Sequence, residues 1–207
     1  MGKVITIAQQ KGGSGKTTLA VNLAVRFVQQ GLSVVLLDSD PQGSLGRWFL
    51  TRAARMAEPD LSLSTASAWG VGYECGKLRR SHDVIIVDTP PKVDADLRPA
   101  LREADLVLVP VAGSHVDLWA IDGVLDLVAR ERKRALIVLN RMRAGTRLGE
   151  EVAQAAAGLA QVAASRLASR MIYAETLGQG RSVCEERGPA RAEVTALAEE
   201  VFAMLGD

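Results

Sequence analysis

The chain has 207 residues, of which 48% are apolar and 24% charged, and its formal net charge is +1. This length suits one compact domain, and we expect residues 1–207 to form a single unit. No apolar run reaches the length of a membrane span, and a charge this close to neutral identifies no partner by itself. The N-terminus leads into an apolar strand pattern without the features of a signal peptide, so we expect a cytoplasmic protein.

Short apolar runs alternate with helical patterns along the chain. The runs are almost continuously apolar, which is typical of strands buried on both faces of a parallel sheet. In chain order the patterns predict strand 3–8, helix 16–30, strand 33–38, helix 45–55, edge strand 61–68, strand 83–88, helix 96–103, strand 106–111, helix 116–131, strand 134–139, and helices 149–164 and 190–205. This alternation predicts an α/β fold, with a doubly wound, mostly parallel sheet flanked by helices.

The segment after the first predicted strand carries the strongest chemical signal. It reads QKGGSGKTT from Gln10 to Thr18 and opens the first predicted helix. Glycines allow a tight turn that points backbone N–H groups at phosphate oxygens, and the helix N-terminus adds partial positive charge. In such a P-loop Lys16 would reach the β- and γ-phosphates, and the Thr17 hydroxyl would bind Mg²⁺. The usual pattern has glycine at the position of Gln10, so the assignment rests on GGSGKTT in its strand–helix context.

Three motifs in order resemble those of the ParA/MinD superfamily, whose members are P-loop NTPases of the deviant Walker A type. KGGSGKTT, with Lys11 ahead of the glycines, is similar to the deviant Walker A motif. VLLDSDPQ at 35–42 resembles the second-strand motif and first switch, and VIIVDTPP at 84–91 resembles Walker B and the second switch. The P-loop begins near residue 10, as in the short ParA-like members of the family.

The resemblance implies a site for ATP and Mg²⁺. Asp40 would position the attacking water, and Lys11 would reach across a dimer interface to the phosphates held by the partner. Asn140 would hydrogen-bond adenine, and residues 180–183 would lie near the base. The implied groups are Gly12, Gly13, Ser14, Gly15, Lys16, Thr17, Thr18 and Asn140 for the nucleotide, Lys11, Lys16 and Asp40 for catalysis, and Thr17, Asp40 and Asp88 for the metal.

The residue patterns alone leave other interpretations open. Lys11 also fits a solvated loop lysine, and Asp40, just before Pro41, also fits a turn. Asp88 also fits a turn or capping carboxylate ahead of TPP, although the adjoining P-loop favours the Mg²⁺ role, and Asn140 fits a turn residue after its strand. Asp38 is interpreted as more structural than catalytic.

The resemblance also implies an ATP-dependent homodimer that binds DNA without sequence preference and associates with the nucleoid. A ParB- or ParG-like protein, or a cargo adaptor, would stimulate its slow hydrolysis. Residues 130–191 carry 12 Lys and Arg against 6 Asp and Glu, which fits either a DNA face or an ordinary solvated surface. The candidates for a DNA face are Arg132, Lys133, Arg134, Arg141, Arg143, Arg147, Arg166 and Arg170. The acidic last helix favours core packing over membrane binding.

Three other functions fit the same phosphate loop. A metabolic ligase of the dethiobiotin synthetase type would need a substrate pocket and would not need Lys11. An iron–sulfur reductase would need cluster ligands, which the positions of Cys75 and Cys184 do not match. An assembly protein would use ATP to form polymers. The sequence does not identify a cargo, which could be a plasmid, a chromosome or a protein body.

Overall fold

The computed structural model describes residues 1–91 and 96–206. At its centre lies a six-stranded sheet in the order β3-β2-β4-β1-β5-β6, and every neighbouring pair of strands is parallel. The strands are β1 (Lys3–Ile7), β2 (Val34–Asp38), β3 (Ser62–Thr65), β4 (Val84–Asp88), β5 (Leu106–Ala112) and β6 (Ala135–Asn140). The predicted α/β class and parallel sheet are confirmed, and each predicted strand is present with slightly different ends.

Helices cover both faces of the sheet. They are α1 (Lys16–Gln29), α2 (Ser44–Ala53), α3 (Val71–Leu78), α4 (Arg98–Glu103), α5 (His115–Trp119), α6 (Asp122–Arg130), α7 (Arg147–Ala157), α8 (Ile172–Gly178) and α9 (Pro189–Gly206). Alternate strand residues point to opposite faces. Those on one face pack against α1, α2 and α9, and those on the other pack against α3, α4, α6 and α7. Cys184 is buried on the face covered by α1, α2 and α9, and Cys75 is buried on the opposite face.

The single helix predicted over 116–131 is wrong, because the chain forms α5 and α6 with a tight turn between them. The Ile121 amide donates to Leu118 O at 3.1 Å, a bond from residue i to i−3 that interrupts the regular helix. Leu118 and Ile121 are both buried in the same core cluster. The turn therefore allows both of these side chains to be buried, and it interrupts the helix.

The predicted helix over 149–164 is wrong in its second half. α7 ends at Ala157, and the chain then runs extended beside β6, the last strand of the sheet. The Ile137 amide donates to Gln161 O at 2.8 Å, and the Ala163 amide donates to Ile137 O at 2.9 Å. The open edge of β6 offers unpaired backbone groups, and pairing with them outweighs the helical propensity of the alanines.

Two short helices were not predicted. α3 contains Gly72 and Gly76, which weaken a helical sequence pattern, and α8 spans only Ile172–Gly178. Within the described residues, no helix combines the length and the apolar character needed to cross a bilayer.

A glycine fixes the segment after α8 against α2. Gly180 has φ +65°, and a Cβ atom there would lie 2.5 Å from the Arg52 backbone nitrogen. We expect Gly180→Ala to lower the free energy of unfolding by roughly 3–4 kcal/mol, because left-handed strain and a backbone clash add together. Gly31→Ala is the matched control, since its φ is +86° but no atom lies within 4 Å of the added Cβ. It should cost only about 1–2 kcal/mol. Equal losses in urea unfolding would contradict the packing argument.

Candidate nucleotide-binding site

The carboxyl ends of three adjacent strands bring the predicted phosphate and metal residues together. Asp88 at the end of β4 lies in register with Asp38 of β2 on one side and Ile7 of β1 on the other. The P-loop continues from β1 and ends where α1 begins at Lys16. In parallel sheets this edge is where ligands bind, because the loops after the strands meet there.

Left-handed glycines shape the P-loop. Gly13 and Gly15 have φ +76° and +93°, and Gly15 directly precedes α1. A Cβ atom on Gly15 would lie 2.4 Å from Asn140 Nδ2. Only glycine therefore combines this backbone conformation with the close approach of the β6 end.

Lys16 is buried at the start of α1, with 7% of its surface exposed. Its Nζ donates to the backbone oxygen of Gln9 at 3.0 Å, which bends the side chain back over the loop. Burial lowers the pKa of the Lys16 amine, and the nearby carboxylates of Asp88 and Asp40 partly oppose this. The amine thus lies among the loop residues where it would meet phosphate oxygens.

Asp88 is 1% exposed, and its two carboxylate oxygens have different surroundings. Thr17 Oγ1 donates to Asp88 Oδ2 at 2.6 Å, whereas Oδ1 has no hydrogen-bond partner among the described residues. Burial raises the pKa of Asp88 to about 7, although the Thr17 hydrogen bond opposes this. A buried carboxylate that keeps one oxygen available beside a threonine hydroxyl fits a hard divalent cation such as Mg²⁺.

Asp38 and Asp40 have different surroundings. The oxygens of Asp38 accept from the Asp40 amide at 3.0 Å and from the Gly46 amide at 3.1 Å, so Asp38 ties the loop to the first turn of α2. Asp40 Oδ1 accepts from the Gln42 amide at 3.0 Å, and Asp40 lines the cavity beside the P-loop. Asp38 therefore shapes the loop, and Asp40 faces the space where phosphates would lie.

Lys11 pairs with Asp117, a residue for which the sequence suggested no role. The Lys11 amine donates to Asp117 Oδ1 in the first turn of α5, and the lysine side chain remains 41% exposed. Burial alone would raise the pKa of Asp117, but hydrogen bonds from Lys11 and Ser114 outweigh it and the net pKa is lowered. The Lys11 amine therefore lies at the surface beside the P-loop and does not enter it.

Two adjoining cavities lie along this edge of the sheet. The phosphate cavity, of about 380 Å³, is lined by 12–18, Asp40, Gln42, Ser44, Pro91, Arg141 and Leu177. The base cavity, of about 270 Å³, is lined by Thr18, Asn140, Arg141, 168–171, Tyr173, Ala174 and Leu177. Thr18, Arg141 and Leu177 belong to both, so the two form one groove.

Asn140 lies at the base cavity with its carboxamide already partly engaged. Its Nδ2 donates to Ser14 O at 2.9 Å, and its Oδ1 accepts from the Arg141 amide at 2.9 Å. A carboxamide has a second hydrogen and a second lone pair, so one donor and one acceptor position remain. The resemblance implied that residues 180–183 lie near the base, but none of them lines either cavity, and Ser182 Oγ donates to Asn22 Oδ1 of α1 at 2.8 Å.

A family model for the CobQ/CobB/MinD/ParA nucleotide binding domain matches residues 5–175. This match covers the P-loop, β2 and β4 with their terminal carboxylates, and every lining residue of the base cavity except Leu177. The chain belongs to this family. It is a nucleotide-binding domain of the ParA/MinD superfamily, as the three motifs predicted.

Two curated relatives share about a third of the matched residues with this chain. Maintenance of carboxysome distribution protein A of Halothiobacillus neapolitanus is 32% identical over 143 residues, covering 66% of this chain and 65% of the relative. Chromosome-partitioning ATPase Soj of Thermus thermophilus is 32% identical over 151 residues, covering 60% and 59%. The matched region thus spans about three fifths of the length of these relatives.

A solved structure of a superfamily member shares the fold. A variant of Cyanothece McdA in complex with ATP superposes with a TM-score of 0.79, at 18% identity, covering 99% of this chain and 96% of that chain. The likeness concerns the fold and does not by itself assign residue roles.

The structure brings most of the predicted site residues of this ParA/MinD domain to one edge. The P-loop residues and Asp40 line the phosphate cavity, and Asn140 lines the base cavity. Arg141, predicted only as a candidate for the DNA face, lines both cavities. The sequence analysis missed Gln9, Asp117 and the wall at 168–171. Asp117 and the wall at 168–171 reach the site through contacts with residues distant in sequence. Gln9 lies just before the motif, and its backbone oxygen accepts from Lys16 Nζ seven positions away.

Proposed function

We propose that residues 1–207 form one ATPase domain that binds ATP with Mg²⁺, dimerises and hydrolyses ATP slowly as a ParA-like partition or positioning switch. The observation that carries this proposal is Lys11, an exposed cation directly before the phosphate loop. A cation supplied by a second protomer would link hydrolysis to dimerisation, because phosphoryl transfer requires positive charge at the γ-phosphate.

The groups around the phosphate cavity support hydrolysis by this chain. Lys16 and the P-loop amides would hold the phosphates, and Asp40 would orient a water for attack. Thr17 and Asp88 would hold Mg²⁺, with Asp40 nearby, and the ion would neutralise charge on the phosphates. Asp88 Oδ1, which has no hydrogen-bond partner in the described part of the chain, supports this assignment independently of the motif.

The names of the relatives support a role in moving a cargo. They are a carboxysome distribution protein and a chromosome-partitioning ATPase. A dimer that binds nucleoid DNA only with ATP, and that a ParB- or ParG-like protein or a cargo adaptor releases by stimulating hydrolysis, would supply such movement. The cargo of such a switch would be a plasmid, a chromosome or a protein body.

The arginines proposed for DNA binding do not share one face. Residues 132–134 precede β6 and residues 141–147 follow it, so the strand separates them by roughly 20 Å. Arg147, Arg166 and Arg170 are each paired with a glutamate. Arg132, Arg141 and Arg143 are exposed and have no ion-pair partner among the described residues. Arg141 lines the nucleotide groove, and Arg143 follows β6 at the same end as that groove, which makes Arg143 the preferred candidate for a DNA contact.

We expect the protein to bind random-sequence DNA with ATP but not with ADP. Affinity should fall roughly tenfold or more between 50 and 200 mM salt if several phosphates are contacted. Fluorescence anisotropy with a labelled duplex measures this, and Arg143→Ala should weaken binding whereas Arg166→Ala should have less effect. Equal binding without nucleotide, or no binding at low salt with ATP, would contradict the proposal.

Phosphate release separates this switch from the other candidates. Release without any small-molecule acceptor favours the ATPase over a ligase of the dethiobiotin synthetase type. Light scattering with ATP and with ADP distinguishes a discrete dimer from an ATP-driven polymer.

A further inference from the structure

One wall of the base cavity is formed by residues 168–171, which lie in an extended segment beside β6. On its inner side this segment bonds to the end of the sheet, since the Ser169 amide donates to Met142 O at 2.8 Å. Its outer side faces α9. Backbone amides on that side need acceptors from another element.

Glu193 of α9 supplies these acceptors behind the wall. Its Oε2 accepts from the Ala168 amide and the Tyr173 hydroxyl, both at 3.1 Å. Its Oε1 accepts from Arg170 Nε at 3.1 Å and Nη2 at 2.7 Å. Ala168, Arg170 and Tyr173 all line the base cavity, so one carboxylate joins three parts of its wall.

We propose that Glu193 is a positioning residue for the nucleotide base. Through its hydrogen bonds it fixes Ala168, Arg170 and Tyr173 in the cavity that Thr18 and Asn140 also line, where the base would enter. The inference rests on the proposed function, in which ATP occupies this groove, and it adds a residue that would act on base affinity without touching the nucleotide.

The local environment makes this carboxylate effective. The Glu193 side chain is only 17% exposed, so solvent screens its interactions less than those of a surface pair. Hydrogen bonds to an ionised acceptor are stronger than neutral ones. Removing the charge would leave the Ala168 amide with a poorer acceptor and release Arg170 from the wall. The residues that line the phosphate cavity do not include Ala168, Arg170 or Tyr173, so phosphate contacts should persist.

α9 provides a matched control one heptad later. Glu200 accepts from the Ala164 amide at 2.7 Å and the Ser165 amide at 2.8 Å. It therefore holds the same extended segment to the same helix, but at residues that precede the cavity wall. If the glutamates only kept this segment from loosening, substituting either one would have the same effect. If Glu193 positions the wall of the base cavity, only its substitution should weaken ATP binding.

The test compares the wild type, Glu193→Gln and Glu200→Gln by isothermal titration with ATP and with inorganic tripolyphosphate, each in Mg²⁺. Tripolyphosphate has the phosphates without the base. For Glu193→Gln we expect the Kd for ATP to rise about tenfold, because charge-assisted hydrogen bonds are lost, with the Kd for tripolyphosphate unchanged. Glu200→Gln should leave both Kd values within about twofold.

Three results would overturn the inference: an unchanged Kd for ATP in Glu193→Gln, an equal rise for ATP and tripolyphosphate, or equal effects of the two glutamates. If Glu193→Gln does not fold, Tyr173→Phe removes one of the bonds and keeps the ring, and a rise confined to ATP is again expected. No rise there would count against the inference. A wild type that does not bind ATP would overturn the proposed function, and this inference with it.

Discussion

Replacing Lys11 with alanine should lower ATP hydrolysis by roughly 10²–10³-fold while ATP still binds, because the charge that neutralises the γ-phosphate would come from the partner protomer. The phosphates would remain held by Lys16 and the P-loop amides. Phosphate release and ATP titration measure the two effects separately. Lys3→Ala is the matched control, since Lys3 is exposed at the N-terminal end of β1, whereas the P-loop follows the other end of that strand.

The contact between Lys11 and Asp117 does not prevent such a transfer. The lysine side chain is 41% exposed, and partly exposed ion pairs contribute only about 1 kcal/mol or less. A bound triphosphate presents more negative charge than a single carboxylate, so the amine can exchange Asp117 for a phosphate at low cost. The ligand-free position of Lys11 is therefore compatible with action across a dimer.

Mixing variants tests action across the dimer directly. A dimer of one Lys11→Ala and one Asp40→Ala protomer would contain one complete site, formed by Asp40 of the first and Lys11 of the second. Equal amounts of these two inactive proteins should recover roughly a quarter of the wild-type rate, since half of the random dimers are mixed. Hydrolysis that stays at background in the mixture, with dimers present, would contradict supply in trans.

The sequence predicted the parts of the site that depend on local backbone geometry. Gly13 and Gly15 allowed the P-loop to be predicted, because the turn needs a left-handed backbone at these positions and glycine adopts it readily. Asp38, Asp40 and Asp88 were found because each lies at or just after the end of a buried strand, and parallel strands end at the same edge.

The parts that the sequence did not predict depend on long-range contacts. Asp117 meets Lys11 across 106 positions, and Glu193 reaches the cavity wall from 20 to 25 positions away. The extended stretch after Ala157 follows an alanine-rich helix and is set by the open edge of β6, which no local pattern records. The prediction there was wrong because it followed the helix propensity of the alanines, whereas backbone pairing with β6 determines the structure.

Replacing Asp40 with alanine should lower hydrolysis by about 10²-fold or more, because the attacking water loses the carboxylate that orients it. ATP should still bind, so the protein should accumulate as an ATP-bound dimer, detected by light scattering coupled to size-exclusion chromatography. Asp126→Ala is the control, since Asp126 is exposed on α6, away from the groove.

Asp38→Ala separates the chemical role of Asp40 from a structural one. The Asp38 oxygens accept from the Asp40 amide in the loop and the Gly46 amide in the first turn of α2, so this variant should lose roughly 1–3 kcal/mol of unfolding free energy. Asp40 accepts from the exposed Gln42 amide, which water can satisfy, so Asp40→Ala should unfold close to the wild type. A catalytic loss with unchanged stability therefore assigns Asp40 to the reaction. Hydrolysis at the wild-type rate in Asp40→Ala would show that another group orients the water.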